Sequence, residues 1–264
     1  MVARAAEPPA FFIVGTAGSG KTSLASSLTE WLARKGVIAE TVNLDPGVDF
    51  LPYDPILDAR DYVDVYEIMR EKGLGPNSSL ILAVDILAGH IEEMRSVISE
   101  STGDFFIVDT PGQIELFAFR SSGTYLAKEL FWGDKAVGFL IDAPFSIEPM
   151  NFVANMFLQS AVYSRLLLPL MTIVTKEDLV QPDEISKIRN WTRDRELLVS
   201  EARKRYSAEK FIHVESLLRS IPDLPFLSRP LVTSSSTLTG FIELHAELSR
   251  LFFRGEETAR GPVD

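Results

Sequence analysis

The segment Gly15-Thr16-Ala17-Gly18-Ser19-Gly20-Lys21-Thr22 constrains this chain more than any other stretch. It fits the pattern G-x-x-x-x-G-K-[ST], and it sits in the context that the pattern needs. An apolar run, Phe11-Phe12-Ile13-Val14, precedes it and reads as a buried strand. An amphipathic stretch from Leu24 to Leu32 follows and reads as a helix. Glycines let the backbone curl so that successive N–H groups point inward as an anion nest. The helix N-terminus adds positive partial charge at the same place. Lys21 can then reach the β and γ phosphates of a nucleotide, and Thr22 can ligate Mg²⁺. The expected phosphate-binding residues are Gly15, Thr16, Ala17, Gly18, Ser19, Gly20, Lys21, Thr22 and the adjoining Ser23.

Such a loop needs a fold that presents it. Strand-like apolar runs recur near Phe11–Val14, Ala39–Asn43, Phe105–Asp109, Val137–Asp142, Leu170–Thr175 and Leu231–Thr233. Helical patterns fill Thr22–Lys35, Asp61–Arg70, Ser79–Glu100, Ile114–Leu130, Asn151–Leu168, Glu184–Arg205 and Leu238–Phe253. This alternation predicts an α/β fold of the P-loop NTPase kind. The expected architecture is a three-layer sandwich, with a mostly parallel central sheet and helices on both faces. In such sheets ligands bind beyond the carboxyl ends of the strands, so polar strand tips gather at one site. The segment Gln181 to Leu227 is longer than an ordinary crossover, and its first half is rich in Arg and Lys. It predicts a helical insertion, about 181–227, within a single domain spanning 1–264. The tail Glu256 to Asp264 is expected to fray.

Composition narrows the function classes. With 264 residues, 46% of them hydrophobic, the chain can bury a substantial core. Its formal charge is -11, from 37 acidic against 26 basic residues. That argues against a duplex-DNA binder, which needs a basic face, and no direct nucleic-acid contact is expected. There is no cysteine, which excludes disulfides and thiolate metal ligands. His90, His213 and His245 form no ligand spacing and read as structural or exposed. No apolar run approaches the roughly 18 residues of a membrane span. Met1 to Ala10 lacks the apolar core of a signal peptide, so no membrane and a cytoplasmic location are expected.

Three further segments carry chemistry. Asp109-Thr110-Pro111-Gly112-Gln113 directly follows the run Phe105–Val108. An aspartate at a strand tip can hold Mg²⁺ through water. Gly112 allows its N–H to approach a γ-phosphate without a clashing Cβ, and Gln113 then stands near an attacking water. Thr175-Lys176-Glu177-Asp178 follows the run Leu170–Val174 and matches the Asn/Thr-Lys-x-Asp order of guanine readers. Asp178 would accept from guanine N1 and N2; adenine cannot supply these donors and would leave a buried Asp178 unpaired, and the Lys176 stem packs on the base. Thr233-Ser234-Ser235-Ser236, at the last strand tip, offers backbone N–H groups to guanine O6, so Ser234 and Ser235 join the nucleotide set. Gly75-Pro76-Asn77 lies between two helical patterns. Capping habits alone read it as one helix ending and another starting.

In this order the segments resemble the GPN-loop GTPases of archaea and eukaryotes. The matching pieces are Gly15 to Thr22, Asn43-Leu44-Asp45-Pro46-Gly47, Gly75-Pro76-Asn77, Asp109 to Gln113, Thr175 to Asp178 and Thr239-Gly240-Phe241. They run over roughly residues 10 to 253. The resemblance implies a homodimeric, Mg²⁺-dependent GTPase of the signal-recognition and MinD-like class, with GTP as substrate and GDP as product. It implies that the Gly-Pro-Asn loop of one protomer reaches the phosphates of the other, so that Asn77 acts in trans. It places Asp45 in the first switch, on the Mg²⁺ shell with Thr22 and Asp109 or polarising the water. The catalytic set would be Lys21, Asp45, Asn77 and Gln113. Eukaryotic relatives are linked to RNA polymerase assembly, which implies a protein client, RNA polymerase or other assembly machinery, met at the helical insertion. Three positions depart from the usual pattern. Thr175 stands where Asn is common, implying weaker discrimination against ATP. Gly47-Val48-Asp49 and Ser235-Ser236 replace the usual residues. Two other readings remain at this point: a nucleotide-gated scaffold with negligible turnover, and an ATP-using relative of the MinD class.

Overall fold

The computed structural model describes residues 7–221 and 229–253. The expected frayed tail lies outside the described residues. β1 (Ala10–Gly15) runs through the middle of a seven-stranded sheet ordered β3-β2-β4-β1-β5-β6-β7. The others are β2 (Ala39–Asn43), β3 (Leu57–Asp58), β4 (Phe105–Asp109), β5 (Lys135–Asp142), β6 (Leu170–Thr175) and β7 (Leu231–Val232). Every pairing is parallel, where a mostly parallel sheet was expected. β3 has no counterpart among the expected strands. It pairs only Leu57 and Asp58 with Val42 and Asn43, too short a stretch for any hydrophobic period.

The continuous apolar runs have a simple cause. Both faces of a parallel sheet are covered, so both sets of alternating side chains must be apolar. In β1, Phe12 and Val14 enter one core while Phe11 and Ile13 enter the other. One face is covered by α1 (Lys21–Ala33) and α11 (Phe241–Phe252), through Leu24, Leu28 and Leu32 and through Phe241, Leu244 and Leu248. The i, i+4 and i, i+3 spacings put each set on one helix face. The other face is covered by α3 (Pro76–Gly89), α4 (Ile91–Ser99), α5 (Ser121–Glu129) and α7 (Pro149–Leu166). The short α2 (Val65–Lys72) packs beside α3, and α6 (Ala143–Ser146) caps β5.

Three stretches expected as single helices are broken. Ser79–Glu100 divides at His90, just after Gly89. Ile114–Leu130 opens as a π-helical turn, Glu115–Phe119, and resets at the extended Arg120. Glu184–Arg205 divides at Asp194, whose carboxylate caps the next helix by accepting from Glu196 N. An amphipathic pattern continues across each break, because both pieces bury the same face. The region after β6 thus holds α8 (Pro182–Arg193), α9 (Arg195–Arg205) and α10 (Ala208–Arg219). It is tied to the main core by Trp191 against Phe152, with ring centroids 5.6 Å apart. The expected insertion runs on into 222–227, outside the described residues.

Candidate nucleotide site

The phosphate loop turns through two left-handed glycines, Gly18 at φ 77° and Gly20 at φ 94°. An L side chain is strained at either position. α1 starts at once with Lys21, which is 7% exposed. Its Nζ donates to Gly15 O and Thr16 O, both at 3.1 Å. Burial pushes the Lys21 pKa down, and the carboxylates of Asp109 and Asp45 pull it back up.

Those two carboxylates arrive on neighbouring strands. Asp109 ends β4 and is 2% exposed. Burial pushes its pKa up, while the neighbouring Thr22 hydroxyl and the hydrogen bond from Tyr53 hold it down. The Tyr53 hydroxyl donates to Oδ2 at 2.9 Å. Oδ1 is buried and has no partner. Thr110 pins the following turn by donating to Ile13 O at 2.7 Å. Asp45 follows β2, and Asn43 shapes its approach. The Asn43 amide donates to Asp45 O at 3.1 Å and to Asp58 Oδ1 at 2.9 Å. Asp45 Oδ1 accepts from Gly47 N at 3.0 Å, and its Oδ2 accepts from Gly112 N at 3.3 Å. Burial pushes the Asp45 pKa up, against the two amides and Lys21.

Lys21, Thr22, Asp45, Asp109 and Gly112 therefore meet in one cluster. The orphaned Oδ1 of Asp109 beside Thr22 is the arrangement a hydrated Mg²⁺ needs. Among the described residues no three His, Cys, Asp or Glu gather into a metal cage. The donor set thus suits an ion that brings water and phosphate with it. Gly75 is the N-cap of α3 and Pro76 its first residue, as capping habits imply. The same loop also reaches the site. Asn77 is exposed, and its Oδ1 accepts from Gln113 Nε2 of the same chain at 3.1 Å.

The base side is fastened to the phosphate loop. Thr175 is buried, and its hydroxyl donates to Ser19 O at 2.7 Å. Lys176 takes a left-handed backbone, φ 59°, and its ammonium donates to Gly18 O at 2.6 Å and Asp142 Oδ2 at 2.5 Å. Asp178 is exposed, not buried, and accepts from Ser236 Oγ at 2.9 Å. Hydrogen bonds from Ser234 and then Ser236 hold its pKa below the usual carboxylate value. Ser234 itself is fully buried. A cleft of about 620 Å³ lies here, lined by Gly20, Ser23, Ser27, Lys176, Asp178 and Ser235 among others. A larger cleft, about 870 Å³, lies at the β7 edge beside Arg189, Arg193 and Arg229 and touches no phosphate-loop residue. Chemistry, not size, locates the site.

Sequence reasoning missed two residues. Tyr53 lies in the connection after β2, where no periodicity marks it. Asp142 ends β5, and its strand-tip position was the available signal.

A strand–loop–helix phosphate nest at the middle of an all-parallel sheet, with an aspartate on the next strand, defines a P-loop nucleotide-binding protein. A family model described as a conserved hypothetical ATP binding protein matches residues 13–252. The GPN-loop GTPase PAB0955 of Pyrococcus abyssi is 32% identical over 88% of this chain and 92% of its own length. The chain belongs to the GPN-loop GTPase family. The crystal structure of PAB0955, titled a GTPase in apo form, superposes with a TM-score of 0.79 at 28% identity, covering 95% of this chain and 98% of that one. GPN-loop GTPase 1 of Dictyostelium discoideum and GPN-loop GTPase QQT2 of Arabidopsis thaliana are 31% and 35% identical over 66% and 63% of this chain. The chain spans 44% and 45% of their lengths.

Proposed function

We propose that this chain is a Mg²⁺-dependent GTPase that acts as a homodimeric switch. One observation carries the reading: Lys21, Thr22, Asp45 and the half-satisfied Asp109 converge on the phosphate nest. Lys21 and the loop amides stabilise charge on the leaving diphosphate. Thr22 and Asp109 would hold the ion, which when bound would neutralise charge on the phosphates. Gln113, Asp45 and Asn77 orient the attacking water. Phosphoryl transfer rests on positioning and charge stabilisation, so no covalent nucleophile is needed. Guanine is chosen by Asp178. The base must displace Ser236 from the carboxylate, and only guanine returns two N–H donors in its place. Thr175 is spent on Ser19, so its hydroxyl braces the loop rather than reading the base. The GTP reading sets aside the ATP in the family model's description.

In the dimer, Asn77 leaves its own Gln113 and serves the partner's phosphates. The exposure of Asn77 supports this placement. Among the described residues no helix is long and apolar enough to cross a membrane, and we assign the protein to the cytoplasm. A protein client, engaged at α8–α10, completes the reading. One observation also favours a nucleotide-gated scaffold. The arginine-bearing cleft on α8 is walled by Thr239 and Gly240, and Thr239 O accepts from Ser234 N of the base loop at 3.1 Å.

The test is Mg²⁺-dependent hydrolysis of GTP against ATP, with Lys21→Ala as the blank. GTP preference abolished by Lys21→Ala supports the GTPase. Equal use of ATP overturns the role of Asp178. Tight GTP binding without turnover moves the weight to the scaffold.

A further inference from the structure

We propose that Tyr53 is a positioning residue for the metal, holding the Asp109 carboxylate so that Oδ1 alone faces the ion's water. The inference deepens the Mg²⁺-dependent reading above and rests on it. A free carboxylate turns about its terminal torsion and presents either oxygen. Asp109 is not free, because the Tyr53 hydroxyl donates to Oδ2 at 2.9 Å. The other oxygen, Oδ1, is buried without a partner. A buried carboxylate oxygen left unpaired is costly, so this asymmetry points to a ligand on that side.

Tyr53 reaches Asp109 from 56 residues away, and the fold fixes where it stands. Its ring packs against the core under α1. The preceding Pro52 O accepts from Ser26 of α1 at 3.3 Å, and the following Asp54 O accepts from Thr41 of β2 at 3.3 Å. The hydroxyl is thus delivered by α1, which starts at the phosphate loop, and by β2, which leads to Asp45. Partners hydrogen-bonded to a metal-binding group commonly change metal affinity by about 10–100-fold when removed.

The experiment uses the full chain carrying Tyr53→Phe, which deletes one oxygen and keeps the ring. The release of a fluorescent GDP analogue is followed across a Mg²⁺ titration and separately in EDTA. Mn²⁺ binding to the GDP complex is followed by electron paramagnetic resonance. The expected result is a half-saturating Mg²⁺ concentration raised on the order of ten-fold, with weakened Mn²⁺ binding and unchanged affinity in EDTA. An unchanged Mg²⁺ midpoint in a folded variant overturns the proposal while leaving the GTPase reading intact. Equal weakening with and without metal also overturns it, because Tyr53 would then only brace its loop. A wild-type protein whose GDP release ignores Mg²⁺ sinks the metal-dependent reading itself, and this inference with it.

Discussion

Asp45 and Gly112 are joined by one hydrogen bond, from the Gly112 backbone N–H to Asp45 Oδ2 at 3.3 Å. It links the segment after β2 to the turn after β4, beside Lys21. On the proposed reading, a γ-phosphate seated on Lys21 would compete with Asp45 for that same N–H. Nucleotide binding and the conformation of both segments would then be coupled through a single donor. A Cβ built on Gly112 lies 3.7 Å from Ala17 Cβ and 3.9 Å from Lys21 Nζ, which is ordinary contact. Gly112→Ala should fold normally, with its methyl in the path of the phosphate. Single-turnover hydrolysis should slow by about 100-fold, the usual loss for one donor aimed at developing charge. A thermal melt checks the other half: a large drop would make Gly112 a packing residue.

How much of this was legible depends on locality. Gly15–Thr22, Asp109–Gln113 and Thr175–Asp178 are contiguous and sit at strand tips, so their positions follow from the strands alone. Tyr53 is the opposite case. It meets Asp109 only because β2 and β4 are paired in register, Asn43 opposite Asp109, and that pairing has no local signature. Thr175 was legible as a departure from Asn but not in its effect, since its bond to Ser19 spans 156 residues. The guanine-reader pattern implies a buried Asp178 carboxylate, yet it is exposed and held by a serine hydroxyl from the neighbouring strand tip. The helix breaks at His90, Arg120 and Asp194 were hidden because amphipathic periodicity survives a break that keeps the same face inward. Asp194 did carry a signal, as a capping residue ahead of Glu196.

Gly240 holds the base loop to the sheet. Its φ is 78°, and a Cβ there would stand 2.0 Å from Val232 O. Gly240→Ala meets both the left-handed penalty and a backbone clash, which together cost at least about 2 kcal/mol. For a chain of this size the melting temperature should fall by roughly 5 °C or more. Guanine affinity should weaken with it, because Ser234 N donates to Thr239 O beside the glycine. A melt within a degree of wild type would show that the α11 start can shift to make room.

His245 makes a small, signed contribution to pH stability. It packs edge-on against Trp31, with ring centroids 5.6 Å apart. Burial lowers its pKa from 6.5, and the nearby Lys35 lowers it further. The unfolded chain therefore takes up a proton near pH 6.5 that the folded chain refuses until lower pH. Stability from this site is complete above pH 6.5 and declines as the pH falls toward the folded value. Urea midpoints for wild type and His245→Gln, compared between pH 7.5 and 5.5, isolate the effect from the carboxylates. The wild type should lose more over that interval. Equal losses would show that the imidazole titrates alike in both states.

The Asn77–Gln113 contact, 3.1 Å within one chain, leaves two assignments for the Gly-Pro-Asn loop, and a mixed dimer separates them. Asn77→Ala and Lys21→Ala should each be nearly inactive alone. In a mixed dimer, the Asn77→Ala protomer keeps an intact Lys21 and phosphate nest. If Asn77 acts across the interface, that nest receives the amide of the Lys21→Ala protomer, and one site per dimer regains turnover. If Asn77 acts through its own Gln113, neither site is complete and mixing restores nothing. We expect recovery toward half the wild-type rate per mixed dimer, measured as GTP hydrolysis over a titration of one variant into the other. The single-chain contact then has a definite place. With recovery, it would be the bond that satisfies two exposed amides until the partner's phosphates offer Asn77 a charge-assisted one, about twice as strong as the neutral one it gives up.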